Sequence, residues 1–116
     1  MSSFTIYHNP RCSKSRQTLA LLQENGVEPA VVLYLDNTPN ADEIAGLLKK
    51  LGISARELLR KGEQAYKDAN LADESLSDKA IIDAMVAAPK LIERPIVVKG
   101  NKAVLGRPPE NVLDLL

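Results

Sequence analysis

The residues able to do chemistry are gathered in Tyr7-His8-Asn9-Pro10-Arg11-Cys12-Ser13-Lys14-Ser15-Arg16, which holds the only cysteine and the only histidine of the 116 residues. Phe4-Thr5-Ile6 before it has strand character, and Gln17 to Leu22 after it has a helical pattern, so Cys12 stands where a strand hands over to a helix. A thiol at a helix N-terminus faces unpaired backbone N–H groups and the positive end of the helix dipole. Both favour the thiolate, and cationic neighbours favour it further. Cysteine more commonly packs in a core. Here His8, Arg11, Lys14 and Arg16 are too polar for a core segment, and Asn9-Pro10 signals a turn. The pattern points to a nucleophilic cysteine.

The elements that must hold this stretch follow from periodicity. Phe4 to His8 is expected as a strand, and a helix runs from Ser13 to a stop at Gly26. Ala30-Val31-Val32-Leu33-Tyr34-Leu35 is a continuous apolar run, expected as a strand buried on both faces. Strand, helix and strand make a βαβ unit. Asp36 to Asn40 reads as a loop. Ile44, Leu47, Leu48 and Leu51 then keep helical spacing, with Asp42 and Glu43 in the first turn and Gly52 at the end. Ser54-Ala55-Arg56-Glu57 fits a capping box opening a short helix through Arg60. Glu63 to Asp68 gives a further helical turn or two, and Ser77 starts a helix carrying Ile81, Ile82, Met85 and Val86 that ends by Pro89. Ile96-Val97-Val98 and Ala103-Val104-Leu105 flank Gly100-Asn101, a hairpin connection. Arg107-Pro108-Pro109-Glu110 opens a last helix, with Val112, Leu115 and Leu116 on one face. The expectation is one α/β domain over residues 1–116, with a helical insert at about 41–88 between the second and third strands.

Three arginines stand at element ends beside apolar stretches: Arg60, Arg94 and Arg107. The guanidinium fork suits a tetrahedral oxyanion, donating paired N–H groups to its oxygens. Any one of them alone would read as a solvated surface arginine, and spacing alone does not bring them together.

Composition excludes several classes. Hydrophobic content is 45%, charged content 26% and formal net charge zero, so no bulk field argues for nucleic acid or a membrane surface. No apolar run approaches the roughly 20 residues of a spanning helix. Met1-Ser2-Ser3-Phe4 lacks the basic and apolar regions of a secretory signal, so a cytoplasmic, reducing setting is expected. One cysteine and one histidine make too few ligands for a zinc site. A cysteine-phosphatase loop needs an arginine six residues after the cysteine, where Thr18 stands. No phosphate-cradling glycine motif is present.

Taken together, His8-Asn9-Pro10-Arg11-Cys12-Ser13-Lys14-Ser15, Leu58-Leu59-Arg60-Lys61, Glu93-Arg94-Pro95-Ile96-Val97-Val98 and Gly106-Arg107-Pro108 resemble the glutaredoxin-linked arsenate reductase (ArsC) family, in order and at compatible spacing from about Thr5 to Leu116. The resemblance implies a thioredoxin-like fold with a four-stranded mixed sheet, and a cis-proline at Arg94-Pro95. It implies Cys12 as nucleophile, His8 lowering the thiol pKa, and Ser15 as a hydrogen-bonding neighbour of the thiolate. Arg60, Arg94 and Arg107 become the oxyanion ligands. Arg11, Ser13 and Lys14 depart from the dedicated resistance enzymes, which tend to carry small neutral residues there.

The implied reaction is reduction of arsenate or a similar oxyanion, with no bound cofactor or metal. A lone cysteine cannot resolve its own adduct, so a second thiol must come from outside. The resemblance names glutathione as co-substrate and glutaredoxin as partner. Two other readings share these residues: a glutathione-dependent thiol transferase acting on disulfides, and a non-catalytic regulator resembling the Spx family. Redox-switching members of the latter use a Cys-x-x-Cys pair, and Ser15 occupies the second position here.

Overall fold

The computed structural model describes residues 4–93 and 95–116. Four strands form one sheet: β1 (Phe4–Tyr7), β2 (Ala30–Val32), β3 (Ile96–Lys99) and β4 (Lys102–Leu105), in the order β2-β1-β3-β4. β1 is parallel to β2 and antiparallel to β3, which is antiparallel to β4. This mixed sheet, entered through βαβ and closed by a hairpin, is thioredoxin-like, with a helical segment between β2 and β3.

Register decides what the sheet can position. Tyr7 lies opposite Val32 on one side and Ile96 on the other, and Ile96 lies opposite Leu105. The residues just outside the sheet at this edge are therefore His8, Leu33, Pro95 and Gly106. Three of the sequence motifs meet at one sheet edge although they are far apart along the chain.

The chain falls into two compact units: Met1–Asn37 with Arg94–Leu116, and Thr38–Glu93. In the sheet unit, helix α1 (Ser13–Glu24) and a 3₁₀ helix (Pro109–Leu115) pack together on a core of Phe4, Ile6, Leu22, Val97, Val112 and Leu115. Alternation along β1 sends Phe4 and Ile6 to this face. Complete burial of Ile6, Leu22 and Val97 contributes about 1.5–3 kcal/mol each. Helix α1 ends at Asn25, and Gly26 follows with φ 79°, a left-handed conformation that glycine takes without strain.

The helical unit holds α2 (Ala41–Leu51), α3 (Gln64–Asp68), α4 (Asp78–Ala87) and 3₁₀ turns at Arg56–Leu58 and Pro89–Leu91. Asn40 and Glu43 cap α2 reciprocally, and Ser77 caps α4 through the Ala80 N–H. The capping box at Ser54 and Glu57 forms, with backbone-to-side-chain bonds of 3.1 and 3.2 Å, but it opens a single 3₁₀ turn.

Two expectations are corrected. The apolar run 30–35 is not a strand buried on both faces. β2 stops at Val32 and lies at the sheet edge, leaving Val31 47% exposed. Leu33 then starts a turn whose carbonyl accepts the N–H groups of Asp36 and Asn37, and Tyr34 is buried from that turn. The final helix is 3₁₀ rather than α, so Val112 and Leu115 are buried while Leu116 is half exposed. The Gly100-Asn101 hairpin forms as expected, with Gly100 at φ 60°.

Gly106 sets a steric limit where β4 leaves the sheet. A Cβ there would lie 2.6 Å from Thr18 Oγ1 and 2.8 Å from Pro95 Cγ. Gly106→Ala is expected to destabilise the fold by about 1–3 kcal/mol through overpacking. The check is a lower denaturant midpoint at unchanged m-value.

Candidate active site

Asn9 to Cys12 forms a tight turn in which the Cys12 N–H donates to the Asn9 carbonyl at 3.0 Å. Asparagine at the first position and proline at the second are what this turn prefers. The Asn9 side chain reinforces it by accepting the Arg11 N–H at 3.0 Å. Cys12 is the N-cap residue of α1, with φ −93° and ψ 122°, and its carbonyl accepts the Arg16 N–H to begin the helix. The sulfur stands half-buried at the position expected from the sequence.

The first turn of α1 is stitched to the loop before it. Ser15 Oγ accepts the Asn9 N–H at 3.0 Å and lies 2.6 Å from His8 Nδ1. Arg16 Nη1 donates to the Pro10 carbonyl at 2.8 Å, and the His8 N–H donates to Val32 in β2 at 2.9 Å. Thr18 Oγ1 donates within α1 to Lys14 and lies 3.2 Å from the Gly106 carbonyl at the end of β4. Among the described residues, the buried polar side chains are His8, Asn9, Ser15 and Thr18. Each is hydrogen-bonded, as burial of a polar group requires, and all four surround Cys12 in sequence.

The electrostatics run one way. The first turn of α1 carries no acidic residue, contrary to the usual preference for acids there, and Arg11, Lys14 and Arg16 flank it. An unopposed positive helix end with converging backbone N–H groups is suited to a thiolate or an oxyanion. Burial lowers the His8 pKa from its ordinary 6.5, and the Arg16 charge lowers it further. The imidazole is therefore neutral at pH 7 and adds no cation beside the thiol. Through Ser15 its ring is tied to the first turn of the helix that Cys12 caps.

Of the other residues singled out, Pro95 is buried at the same sheet edge, and its carbonyl accepts the Gly106 N–H at 2.9 Å. Arg107 follows Gly106, exposed, with a cis bond to Pro108 and its carbonyl held by Asn111 Nδ2 at 3.2 Å. Arg94, and with it the expected Arg94-Pro95 cis bond, lies outside the described residues. Arg60 belongs to the helical unit. There a two-stranded bridge pairs Leu59 with Ile92: the Arg60 N–H donates to Leu91 and the Glu93 N–H to Leu58. The bridge places Arg60 Nη1 2.7 Å from Glu93 Oε1, and Nε lies 3.8 Å from Glu63. Nε is buried and makes no hydrogen bond among the described residues. The carboxylate pairing of Arg60 was not visible from spacing, because its two partners lie 3 and 33 residues away.

The sequence model of the ArsC family matches residues 7–115. The chain belongs to the ArsC family. It is 63% identical over 112 residues to an uncharacterised protein, YfgD, of Escherichia coli strain K12, covering 96% of this chain and 94% of that one. It is 47% identical over 115 residues to an arsenate reductase of Haemophilus influenzae, covering 98% and 99% of the two chains. The structure of an arsenate reductase from Vibrio cholerae superimposes with a TM-score of 0.97 at 51% identity, covering 99% and 98%. Cys12, the turn before it and the buried polar cluster thus occur in an ArsC chain whose likeness to these relatives is nearly full-length.

The neutral histidine gives this ArsC chain a pH signature. Because folding lowers the His8 pKa, the unfolded chain takes up the proton first on acidification. This contribution to stability is complete above pH 6.5 and falls as pH drops through 6.5 toward the folded-state value. Melting temperature against pH should show this loss in the wild type, and His8→Asn should remove it.

Proposed function

We propose that this protein is an oxidoreductase that reduces arsenate to arsenite, with Cys12 as nucleophile and glutathione and glutaredoxin as external reductants. The observation that carries the reading is Cys12 at an α1 N-terminus without acids and flanked by three cations, in a chain 47% identical nearly end to end to proteins named arsenate reductase. The reaction needs no bound cofactor, and glutathione is a co-substrate. A reducing cytoplasm supplies it. Among the described residues no helix is long and apolar enough to cross a membrane.

In this reading the Cys12 thiolate attacks arsenic(V), forming an S–As bond while one arsenate oxygen takes up protons and leaves as water. Backbone N–H groups of the first α1 turn, with Arg60, Arg94 and Arg107, hold the remaining oxygens and stabilise the developing charge. Glutathione then attacks the adduct. Cys12 and glutathione together give up two electrons and become a mixed disulfide, and arsenic(V) leaves as arsenic(III) in arsenite. A glutaredoxin thiolate attacks the glutathione sulfur of that disulfide and returns Cys12 to the thiol state. Ser15 and His8 keep the loop in register beneath the sulfur, and Pro95 closes the site at the start of β3.

Arsenate-dependent turnover with glutathione and glutaredoxin is the test. Cys12→Ser should abolish it while leaving the melting temperature nearly unchanged, since Cys12 makes no side-chain capping bond. Turnover of a disulfide substrate without arsenate reduction would move the protein to thiol transfer. Arg60→Ala, Arg94→Ala and Arg107→Ala should each weaken arsenate binding by about 1.5–3 kcal/mol, the range for a charge-assisted hydrogen bond, read as a rise in KM. An unchanged KM removes that arginine from the site.

A further inference from the structure

A cleft of about 260 Å³ opens beside the nucleophile loop, walled by His8 to Arg11 on one side and by Leu33, Leu35 and Asp36 on the other. All of these belong to the sheet unit. Arg11 and Asp36 bring opposite charges to this small space. Neither the guanidinium nor the carboxylate has a hydrogen-bond or ion-pair partner among the described residues. A cation and an anion that share a cleft without pairing leave both charges to a ligand that carries the complements. Leu33, 36% exposed at the end of the edge strand, and Leu35 add an apolar wall. The volume lies below the roughly 300–1,000 Å³ of sites that enclose a drug-sized ligand, so the cleft grips part of a small molecule. Arg11 immediately precedes Cys12 in the chain.

We propose that this cleft seats the reducing co-substrate: a short zwitterionic peptide thiol of the glutathione type. One of its carboxylates pairs with Arg11, its ammonium with Asp36, and its backbone lies along Leu33 and Leu35. The proposal rests on the reading that Cys12 requires an external thiol, and it adds where that thiol is held. A bare tetrahedral anion leaves the leucines and Asp36 without a role, and a polyphosphate is repelled by Asp36.

The test separates the seat from the reaction. S-methylglutathione, which has no thiol, is titrated by calorimetry without arsenate into the wild type, Arg11→Gln and Asp36→Asn. Saturable binding by the wild type is expected to weaken about tenfold in each variant, the loss expected for one charge contact. In turnover, KM for glutathione should rise about tenfold in each variant, while in Asp36→Asn KM for arsenate stays within about twofold. The ratio of glutathione-driven to 2-mercaptoethanol-driven rates should fall in parallel, because 2-mercaptoethanol carries neither charge. No S-methylglutathione binding by the wild type, or equal binding by all three proteins, overturns the proposal. So does an arsenate KM that rises as much as the glutathione KM in Asp36→Asn. Wild type that binds S-methylglutathione through both residues yet never turns over arsenate supports the seat and rejects the arsenate reading. Both side chains are exposed, and melting temperatures confirm that the variants are folded.

Discussion

The site depends first on strand register. Tyr7, Val32, Ile96 and Leu105 lie in one row across the sheet, and everything proposed as chemistry in the sheet unit begins one or two residues beyond that row. A slip of one residue in β3 would turn Val97 off the core face that it shares with Phe4 and Ile6, and bring Ile96 and Val98 onto it. It would also move Pro95 and Gly106 away from the row. The apolar pattern that builds the core is therefore the same constraint that places the site, since Val97 cannot leave the core face without a large loss of buried area.

The second layer is the hydrogen bonding beneath Cys12. A loop carrying Asn-Pro and several cations has little intrinsic reason to hold one shape. Ser15 supplies that reason by bonding to His8 and Asn9 at once, and Arg16 ties back to Pro10. A wholly buried hydroxyl that lost either partner would leave a polar group unsatisfied at about 1–3 kcal/mol, so loop and helix order together. Burial disfavours the charged imidazole and the neighbouring Arg16 cation disfavours it further, so His8 stays uncharged.

Much of this was legible in the sequence. The helix start at Ser13, the Gly26 and Gly52 stops, the hairpin at Gly100 and the capping box at Ser54 all have local chemical signatures, and each formed where those signatures stand. The motifs also pointed to the family. What could not be read was tertiary. Ala30 to Leu35 has the composition of a central strand, but its place at the sheet edge is set by strand order, which no local pattern encodes. The reach of Arg60 to Glu93 needs the Leu59–Ile92 bridge. The neutral state of His8 needs its burial. The charges of Arg11 and Asp36, unpaired among the described residues, become a feature only when the β1 and β2 exits are seen side by side.

The α1 N-terminus shows what the proposed function costs the fold. Helices α2 and α4 follow the usual rules: α2 starts with Asn40, Asp42 and Glu43, and α4 with Ser77 and Asp78. α1 has no capping side chain, no acid in its first turn, and cations around it. Each omission forgoes a few tenths to about 1 kcal/mol of helix stability. The deficit is offset by packing at Leu22 and by the Thr18 contact to Gly106, both further along the same helix. A helix stabilised along its body and left electrostatically unsatisfied at its tip has its N–H groups and its positive potential available to an outside anion. An aspartate at the cap would make α1 more stable and would occupy the place an incoming anion needs, so the weak cap and the chemistry proposed for Cys12 are one property.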